Sequence, residues 1–118
     1  MSNHNQRIGR WGEEVAAQYL EARGYERVAQ NVRTPHGEID LIMRLDEITI
    51  FVEVKTRTSS RYGYPEEALT PRKLQHMFES AAHYTQAHKI DHWQVDAVSV
   101  EGKPTGGEPI ITHFEDVL

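Results

Sequence analysis

The chain has 118 residues and a mass of 13.6 kDa, with 38% hydrophobic and 26% charged residues. This is the range of one compact domain, too short for two independent cores and outside the disordered and collagenous classes. A net charge of −5 counts against a protein that coats nucleic acid by bulk electrostatics, and the lack of cysteine excludes disulfides, thiolate zinc sites and a cysteine nucleophile.

The first ten residues are polar, and no apolar run approaches the ~20 residues that span a bilayer. A cytoplasmic protein without a membrane partner is expected. From Ile8, apolar residues recur at Trp11, Val15, Ala16, Tyr19 and Leu20, the spacing of one buried helical stripe. This predicts a helix over roughly 6–23, stopped by Gly24. A strand over 25–33 follows and ends in the turn-forming Thr34-Pro35-His36-Gly37.

Residues 38–44 and 48–55 are rich in Ile, Leu, Val and Phe and are separated by Asp46-Glu47, which predicts a β-hairpin. A polar loop over 56–65 comes next. Thr70-Pro71 then supplies an N-cap and a proline at the first helical position. Leu74, Met77, Phe78, Ala81 and Tyr84 form the apolar stripe of a second helix over 71–88. Strands are expected over 93–100 and 110–114, on either side of a turn-rich segment. The order helix, three strands, helix, strand, strand suits a mixed sheet flanked by helices in a single α/β domain.

The hairpin carries the chemistry. Alternate strand residues share a face, so Phe51, Glu53 and Lys55 point one way and Val52 and Val54 the other. Closure around Asp46-Glu47 places Asp40 opposite Glu53 and Glu38 opposite Lys55. Directly opposed like charges are destabilising, and each of these carboxylates interrupts an apolar run, Ile-Asp-Leu-Ile and Phe-Val-Glu-Val-Lys. A divalent cation resolves the conflict, since Mg²⁺ takes carboxylate oxygens and completes its shell with water and phosphate oxygens. Such an ion activates water and neutralises charge on a phosphodiester. Lys55 would then orient or deprotonate the nucleophilic water, or stabilise the transition state. The alternative is a solvated sheet face with an ordinary Glu53–Lys55 ion pair.

Gly37-Glu38-Ile39-Asp40-Leu41-Ile42, followed by Phe51-Val52-Glu53-Val54-Lys55-Thr56-Arg57, resembles the YraN-like family of predicted bacterial endonucleases. That family is similar in turn to the archaeal Holliday junction resolvases and the PD-(D/E)XK nuclease superfamily. The match spans roughly residues 7–100, with Gly9, Glu13, Ala16 and Leu20 on the first helix, Asn31 and Arg33 after it, and Lys73 on the second. Ile39 stands where the superfamily name has proline, though the closer family also reads Gly-Glu-Ile-Asp. The resemblance implies a restriction-endonuclease-like fold and a metal-dependent endonuclease, using Mg²⁺ or Mn²⁺, with DNA as its partner. Asp40, Glu53 and Glu13 would bind metal, and Lys55 would serve the nucleophile. At ~100° per residue Glu13 falls at the edge of the apolar stripe, whereas Glu14 points away from it. Similarity to resolvases further implies a homodimer acting on branched DNA. A non-catalytic nucleic-acid-binding or assembly module on the same fold, or a protein partner that delivers the substrate, stays open at this point.

Arg57, Arg61, Arg72 and Lys73 are candidate phosphate contacts, because the segment 55–73 holds five basic residues against two acidic ones. Tyr62 and Tyr64 could stack on unpaired bases or simply cover the core. His88 and His92 have zinc spacing, but the second helix should end between them, and His76 and His83 lack the neighbouring glutamate of a protease site. Asp96 reads as a structural hydrogen-bonding carboxylate.

Overall fold

In a computed structural model, residues 3–59 and 63–118 are described. The chain runs α1 (His4–Glu21), β1 (Glu26–Thr34), β2 (Gly37–Leu45), β3 (Ile48–Arg57), a short 3₁₀ turn (Pro65–Ala68), α2 (Pro71–His88), β4 (Trp93–Glu101) and β5 (Ile110–Phe114). The expected order of elements holds throughout.

α1 begins two residues before its apolar stripe predicts, because Asn3 and Gln6 form a reciprocal capping box. It ends at Glu21, ahead of the expected Arg23. The stop is the one glycine predicts: Gly24 takes φ +94°, and the N–H groups of Gly24 and Tyr25 return to the carbonyls of Glu21 and Leu20 at 3.0 and 3.1 Å. α2 has the predicted bounds. Its first turn is held by Thr70, whose hydroxyl accepts the Lys73 N–H at 3.2 Å.

The strands form one sheet in the order β1-β2-β3-β4-β5. Only β3 and β4 pair in parallel, and the connection between them contains α2, as a parallel crossover demands. α1 covers one face, with Ala16, Ala17 and Leu20 packed on Leu41, Met43, Ile50, Val52, Val98 and Val100. α2 covers the other, with Met77 and Ala81 on Ile39, Ile42, Phe51 and Val95. A sheet covered on both faces needs apolar side chains on both, and six consecutive residues of β4 are accordingly buried. Edge strand β1 is less regular, with a register shift between Arg27 and Ala29 and a left-handed Asn31 at φ +52°. Among the described residues no helix is long and apolar enough to cross a membrane.

Candidate metal and nuclease centre

The site lies where β2 and β3 part. Their ladder has the register expected from the turn, running from Leu45↔Ile48 to Leu41↔Val52, and it stops one pair short of Asp40 and Glu53. Beyond that point the Asp40 side chain supplies the partner that the β2 backbone no longer offers: its Oδ2 accepts the Val54 N–H at 2.8 Å. Burial pushes the Asp40 carboxyl up to about 7, and the charges of Glu53 and Glu13 push the same way against the Val54 hydrogen bond and Lys73. The alternation along β3 is as expected, since Phe51 packs in the α2 core while Val52 and Val54 pack in the α1 core.

Glu13 reaches this point from α1, and Glu14 does not. Asn31 Nδ2 donates to Glu13 Oε1 at 3.0 Å and to Glu38 Oε1 at 3.3 Å, whereas Glu14 pairs with Arg27 on the far side. The expectation that Glu38 faces Lys55 is corrected. Because the β2–β3 ladder ends at Leu41↔Val52, Glu38 pairs instead in register with Arg33 of β1, and its carboxylate shares Asn31 with Glu13. Asn31 was missed as a site residue. The available signal was a β-disfavoured asparagine inside a predicted strand, and its left-handed backbone is one that asparagine tolerates better than most residues.

Glu53, with 18% of its side chain exposed, is paired with Lys73 of α2, whose Nζ lies 2.5 Å from Oε1. Lys55 is exposed two residues farther along β3. It lines a groove shared with Glu13 and a smaller hollow shared with Glu53 and Lys73. Asp40 thus feels the charges of Glu53, Glu13 and Lys73, and Glu38 shares Asn31 with Glu13, but among the described residues these carboxylates do not form a group with ligand atoms all within 4.8 Å of one another.

The donor set fits a hard divalent cation. It is all oxygen, two of its carboxylates crowd each other, and in the chain as described the only cation against Glu53 is a lysine ammonium.

The proposed phosphate contacts divide. Lys73 joins the site, and Arg72 lies exposed on the first turn of α2. Arg57 turns inward: only 10% exposed, it donates from Nη1 to the Gly63 carbonyl at 2.6 Å and places Nη2 3.7 Å from Glu101. Arg61 and Tyr62 lie outside the described residues. Tyr64 is 71% exposed. His88 bonds the Tyr84 carbonyl through Nδ1 at 3.0 Å and stacks on the Tyr84 ring, away from His92.

A second polar cluster lies at the start of β4. Asp96, fully buried, accepts from Gln94 Nε2 and the Asp116 N–H at 2.9 Å each, and lies 2.8 Å from His113 Nε2. With Glu115 these residues bring ligand atoms within 4.8 Å of one another, a group that could hold a metal ion. Tyr25 donates to Glu115 at 3.4 Å, and burial with the charges of Asp96 and Glu115 pushes its hydroxyl up to about 12. Both Asp96 oxygens are already satisfied within the protein, which is the structural role expected of this residue.

The fold is that of an α/β protein with a mixed five-stranded sheet and two helices, and acidic and lysine side chains gather where β2 and β3 part. The chain belongs to Uncharacterised protein family UPF0102, whose profile matches residues 12–100. It is 48% identical over 83 residues to a UPF0102 protein of Syntrophomonas wolfei, covering 70% of this chain and 72% of that one. It is 47% identical over 113 residues to a UPF0102 protein of Leifsonia xyli, covering 94% and 95%. Among solved structures, SfsA of Pyrococcus furiosus in complex with Ca²⁺ is similar at 12% identity and a TM-score of 0.38, over 94% of this chain and 63% of that one.

Proposed function

We propose that this protein is a divalent-metal-dependent nuclease that hydrolyses phosphodiester bonds of DNA. One observation carries the reading: a buried carboxyl, Asp40, is crowded by the charges of Glu53 and Glu13, with Lys73 of α2 the opposing charge and Lys55 exposed two residues beyond Glu53. A structural role does not call for such a cluster, because buried like charges cost free energy unless something cationic joins them. Asp40, Glu53 and Glu13 hold Mg²⁺ or Mn²⁺, and Asn31 fixes the Glu13 carboxylate. The bound ion supplies Lewis acidity and neutralises charge on the phosphodiester in transit. Lys55 orients the attacking water and takes up or offsets its developing charge. Lys73, once freed from Glu53, is left to meet a substrate phosphate. A two-fold dimer presenting two such sites would suit branched DNA, an arrangement offered by analogy with the resolvases.

The test is incubation with linear, single-stranded, flapped and four-way DNA in Mg²⁺ and in Mn²⁺, beside a Lys55→Ala control. Cleavage by the parent protein that is lost in the control is expected. DNA binding without cleavage in either ion would turn the reading to a binding module, and equal turnover by the control would remove Lys55 from the mechanism.

A further inference from the structure

α1 carries two glycines three residues apart on one side, and packing explains only one of them. An added Cβ at Gly12 would fall 1.9 Å from Thr56 Oγ1, so the close seating of α1 on β3 requires glycine there. Among the described residues outside its own helical turn, no atom lies within 4 Å of a Cβ added at Gly9. Glycine inside a helix is destabilising relative to alanine, and no described residue packed against Gly9 offsets that loss.

Gly9 opens onto a groove. A space of about 570 Å³ lies between the first half of α1 and residues 54–58 at the end of β3 and just beyond it, with Glu13 and Lys55 among its walls. A second space of about 410 Å³ shares His4, Ile8 and Thr58 with the first and adds Arg7 and Lys103. The two spaces form one trough. It runs from Glu13 and Lys55, past the bare backbone of Gly9, to two exposed basic side chains contributed by α1 and by the turn after β4.

We propose that this trough seats the sugar–phosphate backbone of a single DNA strand, which enters between Arg7 and Lys103, crosses Gly9 and presents a phosphodiester at Lys55. The assignment rests on the nuclease reading. Its charge is complementary to the proposed occupant, since Arg7, Lys103 and Lys55 are all exposed along the path. The missing side chain at Gly9 lets a strand approach the helix closely, the use to which glycine is put beside ligands. Two outer phosphate contacts also suit a protein of net charge −5, which cannot hold nucleic acid by its overall field.

The experiment uses a fluorescein-labelled duplex with a single-stranded flap, followed by anisotropy in Ca²⁺, with melting shifts in Ca²⁺ recorded in parallel. Gly9→Ala should melt roughly 3 °C higher than the parent, because a helix-interior glycine is replaced, and yet bind the flap more weakly. Gly9→Leu should bind at least about tenfold more weakly by blocking the path to a phosphate contact. Arg7→Ala combined with Lys103→Ala should lower the slope of log affinity against log salt by about 2. The Ca²⁺ melting shift should be unchanged in every variant. If the parent binds the flap and these variants bind it equally well, the trough is not the strand path, while the nuclease reading stands. If the parent shows the Ca²⁺ shift but binds no DNA at low salt, both are overturned.

Discussion

The ammonium of Lys73 lies 2.5 Å from Glu53 Oε1, on one of the carboxylates proposed to hold a cation. On that reading a cation loaded at Glu53 would compete with this ion pair. Lys73 is 45% exposed, so the pair is worth no more than an ordinary surface bridge, about 0.5–1 kcal/mol. Lys73→Met should tighten Mn²⁺ binding about two- to fivefold in calorimetry, while weakening DNA binding. A variant that binds the ion less tightly than the parent would show that Lys73 supports the metal site instead of competing with it.

The raised carboxyl of Asp40 makes the stability of the metal-free protein depend on pH. In the fold this group titrates at about 7, against 3.8 in its ordinary state, so the folded chain retains a proton that the unfolded chain has released. The resulting stabilisation is complete below about pH 4 and is lost as pH rises through 7. The change is on the order of a few kcal/mol. In EDTA, Asp40→Asn should therefore gain on the parent between pH 5 and pH 7 and level off above that, as read from denaturant midpoints. A constant difference over that interval would mean that Asp40 is not held protonated.

The seating of α1 can be tested at Gly12. Gly12→Ala drives a methyl group into Thr56 and should cost about 1–3 kcal/mol, despite alanine's better helix propensity. Combining it with Thr56→Ala removes the nearest atoms and should restore part of the loss. Thermal melts of the two single variants and the double variant give the coupling, and strictly additive effects would contradict the contact.

The proposed Asp40 site and the Asp96–His113–Glu115 group are rival places for an ion, and one substitution in each separates them. Asp40→Asn should abolish the melting shift produced by Mn²⁺, which at ~10 times the dissociation constant adds about 1.4 kcal/mol to the parent protein. His113→Ala should leave that shift intact. It should still destabilise the protein by about 1–3 kcal/mol, because buried Asp96 loses one of its partners. A shift lost with His113 and kept without Asp40 would move the ion to the β4–β5 cluster.

Local patterns made much of this legible. Thr70-Pro71 marks the start of α2 because a cap and a pre-set φ act within one turn, and the Asp46-Glu47 turn sets the β2–β3 register because a hairpin's pairing follows from its loop. The same turn does not reveal where the ladder stops. That depends on Asp40 replacing a backbone acceptor for Val54, a choice made only when the carboxyl is buried. The inward placement of Arg57 was not legible in the sequence because its partners, the Gly63 carbonyl and Glu101, are brought to it by tertiary folding. The Lys73–Glu53 and Asp96–His113 pairs were hidden for the same reason: they join residues 20 and 17 positions apart, on different elements.

β1 forms one margin of the sheet, and an uninterrupted margin offers its backbone to any extended chain as a template. Here the template is broken twice within five residues, by the shift between Arg27 and Ala29 and by the left-handed turn of Asn31. A second copy laid along this strand would leave N–H and C=O groups unmatched at both breaks. Runaway edge-to-edge polymerisation is discouraged on this side, and any two-fold pairing of the protein is left to side-chain surfaces. The residue that steadies Glu13 in the cleft is thus also a guard against fibre growth.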